Sequence, residues 1–118
     1  MPSKSDPLKR LRELCLALPE AHEVQAWGEP TFRVRNKIYV MFDEKERHLW
    51  IKSTHDEQQA LIAMDPEAFF VPSYVGSKGW IGVVVSKADR GEVEDLITEA
   101  WRMTAPKRLV AAFDEAGA

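Results

Sequence analysis

Trp27-Gly28-Glu29-Pro30-Thr31-Phe32-Arg33-Val34-Arg35-Asn36-Lys37-Ile38-Tyr39-Val40-Met41-Phe42, continued after a charged loop by His48-Leu49-Trp50-Ile51-Lys52, is the stretch whose reading decides the fold. Apolar and polar residues alternate along each run, and turn-forming residues separate the runs. That pattern is the signature of an antiparallel meander. Its first turn is read by parity. A two-residue loop at Asn36-Lys37 would pair Arg35 with Ile38 and Arg33 with Val40, mixing charges and aliphatics on one face. A three-residue loop pairs Val34 with Ile38 and Phe32 with Val40, and gathers Phe32, Val34, Ile38, Val40 and Phe42 on one side. A buried face dictates register, so the three-residue loop is expected, with Asn36 at positive φ. Beyond Glu44-Lys45-Glu46-Arg47, pairing Asp43 with His48 sets Phe42 opposite Leu49 and Val40 opposite Ile51. The sheet then has an aliphatic face for helices. Its second face carries Arg33, Arg35, Tyr39, Met41, His48, Trp50 and Lys52.

Helices flank the meander. Ser5-Asp6-Pro7 reads as a helix start. Leu8, Leu11, Leu14, Cys15 and Leu18 form its apolar stripe, against Lys9, Arg10, Arg12 and Glu13. A turn over 19–23 leads to a short strand, Val24 to Trp27. Thr54-His55-Asp56-Glu57 is a capping box opening a helix to about Met64, with His55 exposed. Phe69-Phe70-Val71-Pro72 is a short extended piece. Trp80-Ile81-Gly82-Val83-Val84-Val85 is the most β-prone run and is expected as a central strand. Gly82 there predicts a bulge or a close approach. Asp89 caps a helix whose stripe is Val93, Leu96, Ile97, Ala100 and Trp101. A last helix over 106–114 turns Leu109, Val110 and Phe113 inward, and Gly117-Ala118 should fray.

The 118 residues make one domain, 1–118, long enough for a core without staples. A net charge of −3 argues against strong sequence-independent phosphate binding, though not against a local basic face. One cysteine, Cys15, permits no internal disulfide and reads as a small apolar residue of a reduced, cytoplasmic protein. The first residues contain no apolar core of a signal peptide, and no apolar run approaches the ~20 residues of a membrane span. His22, His48 and His55 lack ligand-pair spacing, so neither a metal nor any other cofactor is expected. Glu20, Glu23 and Glu29 fall in loops too exposed to raise a carboxyl pKa for acid–base work. With no catalytic constellation in view, the chain is expected not to be an enzyme. Trp27, Trp80 and Trp101 read as core or turn anchors.

In four ordered stretches the chain resembles the MmcQ/YjbR-like family of small bacterial proteins. The first is Leu18-Pro19-Glu20 with Trp27-Gly28-Glu29-Pro30 and Phe32-Arg33-Val34. The second is Lys37-Ile38-Tyr39 with Ile51-Lys52. The third is Phe70-Val71-Pro72-Ser73-Tyr74-Val75-Gly76 with Lys78-Gly79-Trp80. The fourth is Ala105-Pro106-Lys107-Arg108-Leu109-Val110. The chain departs from the family at Ser73, where a second Pro is common, and at Ala100-Trp101, where Ser-Tyr is common. The resemblance implies an α+β fold, a mainly antiparallel sheet packed by helices, akin in shape to secretion-chaperone-like and frataxin-like domains. Members are often called DNA-binding by analogy with a winged arrangement of strands, a warrant at the level of fold.

The residues that suit such a role are Arg33, Arg35, Lys37, Tyr39, Trp50 and Lys52, with Lys78 in the Ser77-Lys78-Gly79 loop. Basic groups interleaved with aromatics offer phosphate contact and base stacking together. From Thr31 to Ser53 there are six basic residues against three acidic. The same pattern describes a solvated sheet face, and the loop around Lys78 also reads as a plain turn. Two partner classes therefore stand: DNA at the basic-aromatic face, or a protein, including a second copy of the chain, at a sheet edge or apolar patch.

Overall fold

The computed structural model describes residues 7–117. The expected cap at Ser5-Asp6 and the last residue, Ala118, lie outside them. The order of elements is α1 (Pro7–Leu16), β1 (Ala21–Ala26), β2 (Glu29–Val34), β3 (Lys37–Asp43), β4 (His48–Ile51), α2 (His55–Met64), β5 (Phe69–Phe70), a short 3-10 turn (Gly76–Lys78), β6 (Ile81–Val84), α3 (Arg90–Thr104) and α4 (Lys107–Gly117). The strands form one six-stranded sheet in the order β1-β2-β3-β4-β6-β5. Every neighbouring pair is antiparallel. The α+β expectation holds. The run after Trp80 is an interior strand, flanked by β4 and by the edge strand β5.

One face of the sheet carries Phe32, Val34, Val40, Phe42, Leu49, Ile51, Phe69, Ile81 and Val83, all buried. α3 packs over β3 and β4, and α1 packs on β1 and α3. α1 contributes Leu8, Leu11 and Cys15, while α3 contributes Leu96, Ile97, Ala100 and the fully buried Trp101. The Trp101 indole N–H donates to the Pro19 carbonyl at 3.0 Å, so its polar edge is satisfied inside the core. α4 lies further out. Its Leu109, Val110 and Phe113 are half-buried against the core, and Phe113 meets the Trp101 ring at 4.9 Å. Thr54 and Asp89 cap α2 and α3 by accepting from Glu57 N and Glu92 N, as expected.

The first meander turn differs from the three-residue loop. Val34 pairs with Lys37 and Arg33 with Ile38, so only Arg35 and Asn36 form the loop. Both take positive φ, 50° and 66°, the geometry of a type I′ hairpin. Phe32 still pairs with Val40, because the register shifts between Phe32 and Arg33. The chain keeps Phe32, Val34, Val40 and Phe42 on one buried face with a short loop plus a β-bulge, while Ile38, expected on that face, pairs with Arg33 on the outer one. The extra residue of the bulge is Tyr39. A bulge places consecutive side chains on one side of the strand, and this turns Tyr39 from the outer face into the core. Tyr39 is fully buried, and its hydroxyl donates to the Cys15 carbonyl at 3.1 Å. It thereby adds a second donor, beside Leu18 N, to a carbonyl in the last turn of α1.

The second hairpin, Asp43 with His48, Phe42 with Leu49 and Val40 with Ile51, forms in the expected register. Gly82 is a close approach rather than a bulge. A Cβ there would lie 2.3 Å from the Phe70 ring, which covers this part of the outer face.

Candidate functional site

Strand parity assigns the outer face. β2 contributes Glu29, Thr31 and Arg33; β3 contributes Ile38, Met41 and Asp43; β4 contributes His48 and Trp50. Thr31, Met41 and Trp50 form one cross-strand row, continued by Gly82 on β6. Thr31 is fully buried; its hydroxyl donates to Val24 O at 2.6 Å and accepts from Arg33 Nε at 3.1 Å. The Arg33 guanidinium also reaches Asn36 Oδ1, at 3.5 Å, and so lies along its own hairpin.

A groove of about 450 Å³ opens over this row. Trp27, Met41, Trp50, Tyr74 and Val75 line it together with the carboxylates Glu29 and Asp43. Three separate devices build it. Trp27 occupies the β1–β2 hairpin loop with Gly28, both at positive φ, 55° and 78°. Trp50 and Met41 come from the sheet itself. Tyr74 and Val75 come from the loop between β5 and β6. Trp27 is 80% exposed and Tyr74 92%, whereas Trp80 and Trp101 are buried. The expectation that Trp27 is an anchor is therefore corrected: it sits in a turn, but its ring faces solvent. No periodicity marks Tyr74, and sequence reasoning missed it.

The loop carrying Tyr74 is held from beneath. Gln58 of α2, 3% exposed, donates through Nε2 to Gly76 O at 2.9 Å and to Trp80 O at 2.6 Å. His55 Nε2 lies 2.8 Å from Ser77 O. Phe70 stacks on His48 with centroids 4.7 Å apart.

The basic-aromatic set expected on this face is dispersed. Arg33 and Trp50 do share the outer face, and Lys52 follows Trp50 with its backbone N–H donating to Tyr39 O. Tyr39 has left for the core. Arg35 is at the hairpin tip, in a bidentate pair with Glu20. The hydrogen bond and charge of Arg35 hold the Glu20 carboxyl below the usual carboxylate range. Lys37 is exposed at the start of β3, and Lys78 is exposed in the 3-10 turn. Beside the groove, Glu29 Oε1 accepts from Glu44 N at 2.9 Å and Asp43 Oδ1 from Glu46 N at 3.2 Å. Neither carboxylate forms an ion pair among the described residues. The Trp50 indole N–H is buried without an acceptor. Cys15 is fully buried, and burial pushes its thiol pKa upward, which opposes the thiolate a nucleophile needs. Among the described residues no three His, Cys, Asp or Glu side chains converge on a metal position, and no helix is long and apolar enough to cross a membrane.

Known proteins place this architecture. The YjbR family model matches residues 16–103, so the chain belongs to that family. Uncharacterised proteins of Mycobacterium bovis and Mycobacterium tuberculosis are each 41% identical to it over 54 residues, 46% of this chain and 42% of theirs. The match thus spans under half the length of those relatives. A Deinococcus radiodurans protein with a DUF419 domain, known from its crystal structure, superposes with a TM-score of 0.75 at 17% identity, over 85% of this chain and 81% of that one. At that identity the likeness is one of fold.

Proposed function

We propose that this member of the YjbR family is a non-enzymatic, cytoplasmic bacterial binding module whose outer sheet face engages an apolar segment of a protein partner. One observation carries the reading: two large aromatics, Trp27 and Tyr74, stand 80% and 92% exposed in the lining of one groove, together with Met41 and Trp50. Solvent-exposed aromatics that pack under nothing contribute little to a fold, yet they are the residues that dominate protein–protein contacts. The groove volume lies in the range of roughly 300–1,000 Å³ typical of binding clefts. Fluorescence anisotropy with a panel of labelled apolar peptides tests the reading. Binding that disappears in Trp27→Ala and Tyr74→Ala supports it. A panel with no binder at millimolar protein refutes it.

A second reading, DNA binding, has its own support in Arg33 on the same sheet face as Trp50, in Lys52 two residues after Trp50, and in the exposed Lys37 and Lys78. Labelled duplex and single-stranded DNA at low and moderate salt separate the two. Affinity that falls with salt and with Arg33→Ala favours DNA. Absence of binding at low salt with micromolar protein removes it. Self-association through the open edge of β1 would appear as a mass increase in light scattering over a dilution series.

A further inference from the structure

We infer that the groove recognises an arginine side chain presented by the partner segment. The inference rests on the reading of the outer face as a protein-binding surface and adds the chemistry of the bound residue. Three aromatic side chains, Trp27, Trp50 and Tyr74, line the same groove as two carboxylates, Glu29 and Asp43. An aromatic face attracts a cation through its quadrupole, and tryptophan does so best. A guanidinium is planar, weakly hydrated and able to stack on a ring while its edge donates to a carboxylate.

Among the described residues no cation of the chain occupies either half of such a site. Among the described residues the ring-on-ring contacts are His48–Phe70 and Trp101–Phe113, and the cation over a ring is Arg102 over Phe113; Trp27, Trp50 and Tyr74 take part in none of them. The two carboxylates likewise lack an ion-pair partner, although arginines elsewhere in the chain pair with Glu20, Glu23, Glu94 and Asp114. One oxygen of each is fixed by a backbone amide, which orients the carboxylate and leaves the other oxygen to accept. A largely apolar lining that includes two carboxylates complements an apolar segment bearing one cation. It does not complement a phosphate.

The test compares two fluorescein-labelled, terminally blocked peptides of leucine and alanine that differ only at a central residue, arginine or its neutral isostere citrulline. Anisotropy is read with the full chain and with a Glu29→Gln/Asp43→Asn variant. The variant keeps the oxygens that accept from Glu44 N and Glu46 N, so the loops remain tied. The arginine peptide is expected to bind about tenfold more tightly than the citrulline peptide, and the variant should erase that preference while retaining citrulline-peptide affinity. Equal affinity for both peptides overturns the arginine assignment and leaves the protein-binding reading in place. Failure of both peptides to bind overturns the two together. A preference that persists in the variant places the cation elsewhere and also overturns the assignment.

Discussion

Gln58→Leu tests how the groove is held open. Gln58 is polar, 3% exposed, and the sole described side chain donating to both Gly76 O and Trp80 O. Leucine fills a similar volume and donates nothing. Two neutral hydrogen bonds contribute a net of about 1–3 kcal/mol together. The two carbonyls do not lose equally. Gly76 O also accepts from Gly79 N at 3.0 Å and keeps that bond. Trp80 O, next to a buried indole, loses a 2.6 Å bond, which adds a desolvation penalty of about 1–3 kcal/mol. Apolar burial of leucine returns part of this, leaving a net loss of about 2–4 kcal/mol. For a domain of this size that corresponds to a melting temperature lower by about 8–16 °C. Calorimetry gives the shift. Hydrogen exchange should show protection lost first across the loop carrying Tyr74 and Val75. A melting temperature within about 2 °C of the parent, with loop protection unchanged, would refute the claim that Gln58 supports the groove wall.

Tyr39→Phe should cost about 1 kcal/mol in urea unfolding, because it removes one of the two donors to the Cys15 carbonyl, which keeps its bond from Leu18 N; no loss would mean the hydroxyl is not bonded there. Gly82→Ala drives a methyl into the Phe70 ring and should destabilise by about 1–3 kcal/mol, with Phe70→Ala in the same chain relieving part of the cost. Acrylamide quenching of tryptophan emission should fall in Trp27→Phe, since Trp80 and Trp101 are buried and Trp50 is half-buried; unchanged quenching would place Trp27 inside. Burial raises the Cys15 and Tyr39 pKa above their ordinary values of 9.0 and 10.0. Folding therefore favours the protonated forms, and their stabilisation is complete below about pH 9 and lost as pH rises beyond it. A Cys15→Ala/Tyr39→Phe double variant should show a flatter alkaline stability profile, and equal slopes would contradict this assignment.

Local rules were enough for much of the chain. The capping residues Thr54 and Asp89 announce α2 and α3 because their side chains satisfy amides a few residues away. Alternation specified which of Phe32, Val40, Phe42, Leu49 and Ile51 share the buried face, and the register of β3 with β4 followed. The family was legible from ordered short motifs, with the α+β class attached. The turn at Arg35-Asn36 was not. Parity demands only that one residue be absorbed somewhere, and either a longer loop or a bulge can absorb it. The choice depends on tertiary contacts: α1 offers the Cys15 carbonyl to the Tyr39 hydroxyl, and Glu20 waits beside Arg35 at the hairpin tip. That choice took Tyr39 out of the basic-aromatic set.

The groove belongs to the same class of decision. Trp27, Trp50 and Tyr74 are far apart in the sequence, and only the packing of one hairpin loop and one β5–β6 loop around the row of Met41 and Trp50 brings them together. Sequence by itself determined most of the elements, the family and the buried face apart from Ile38 and Tyr39, which the bulge exchanges, because caps, alternation and short motifs act over a few residues. Tertiary structure decided which aromatics remain in solvent and which carboxylates lack a cation, because exposure and pairing depend on what the rest of the chain places beside them.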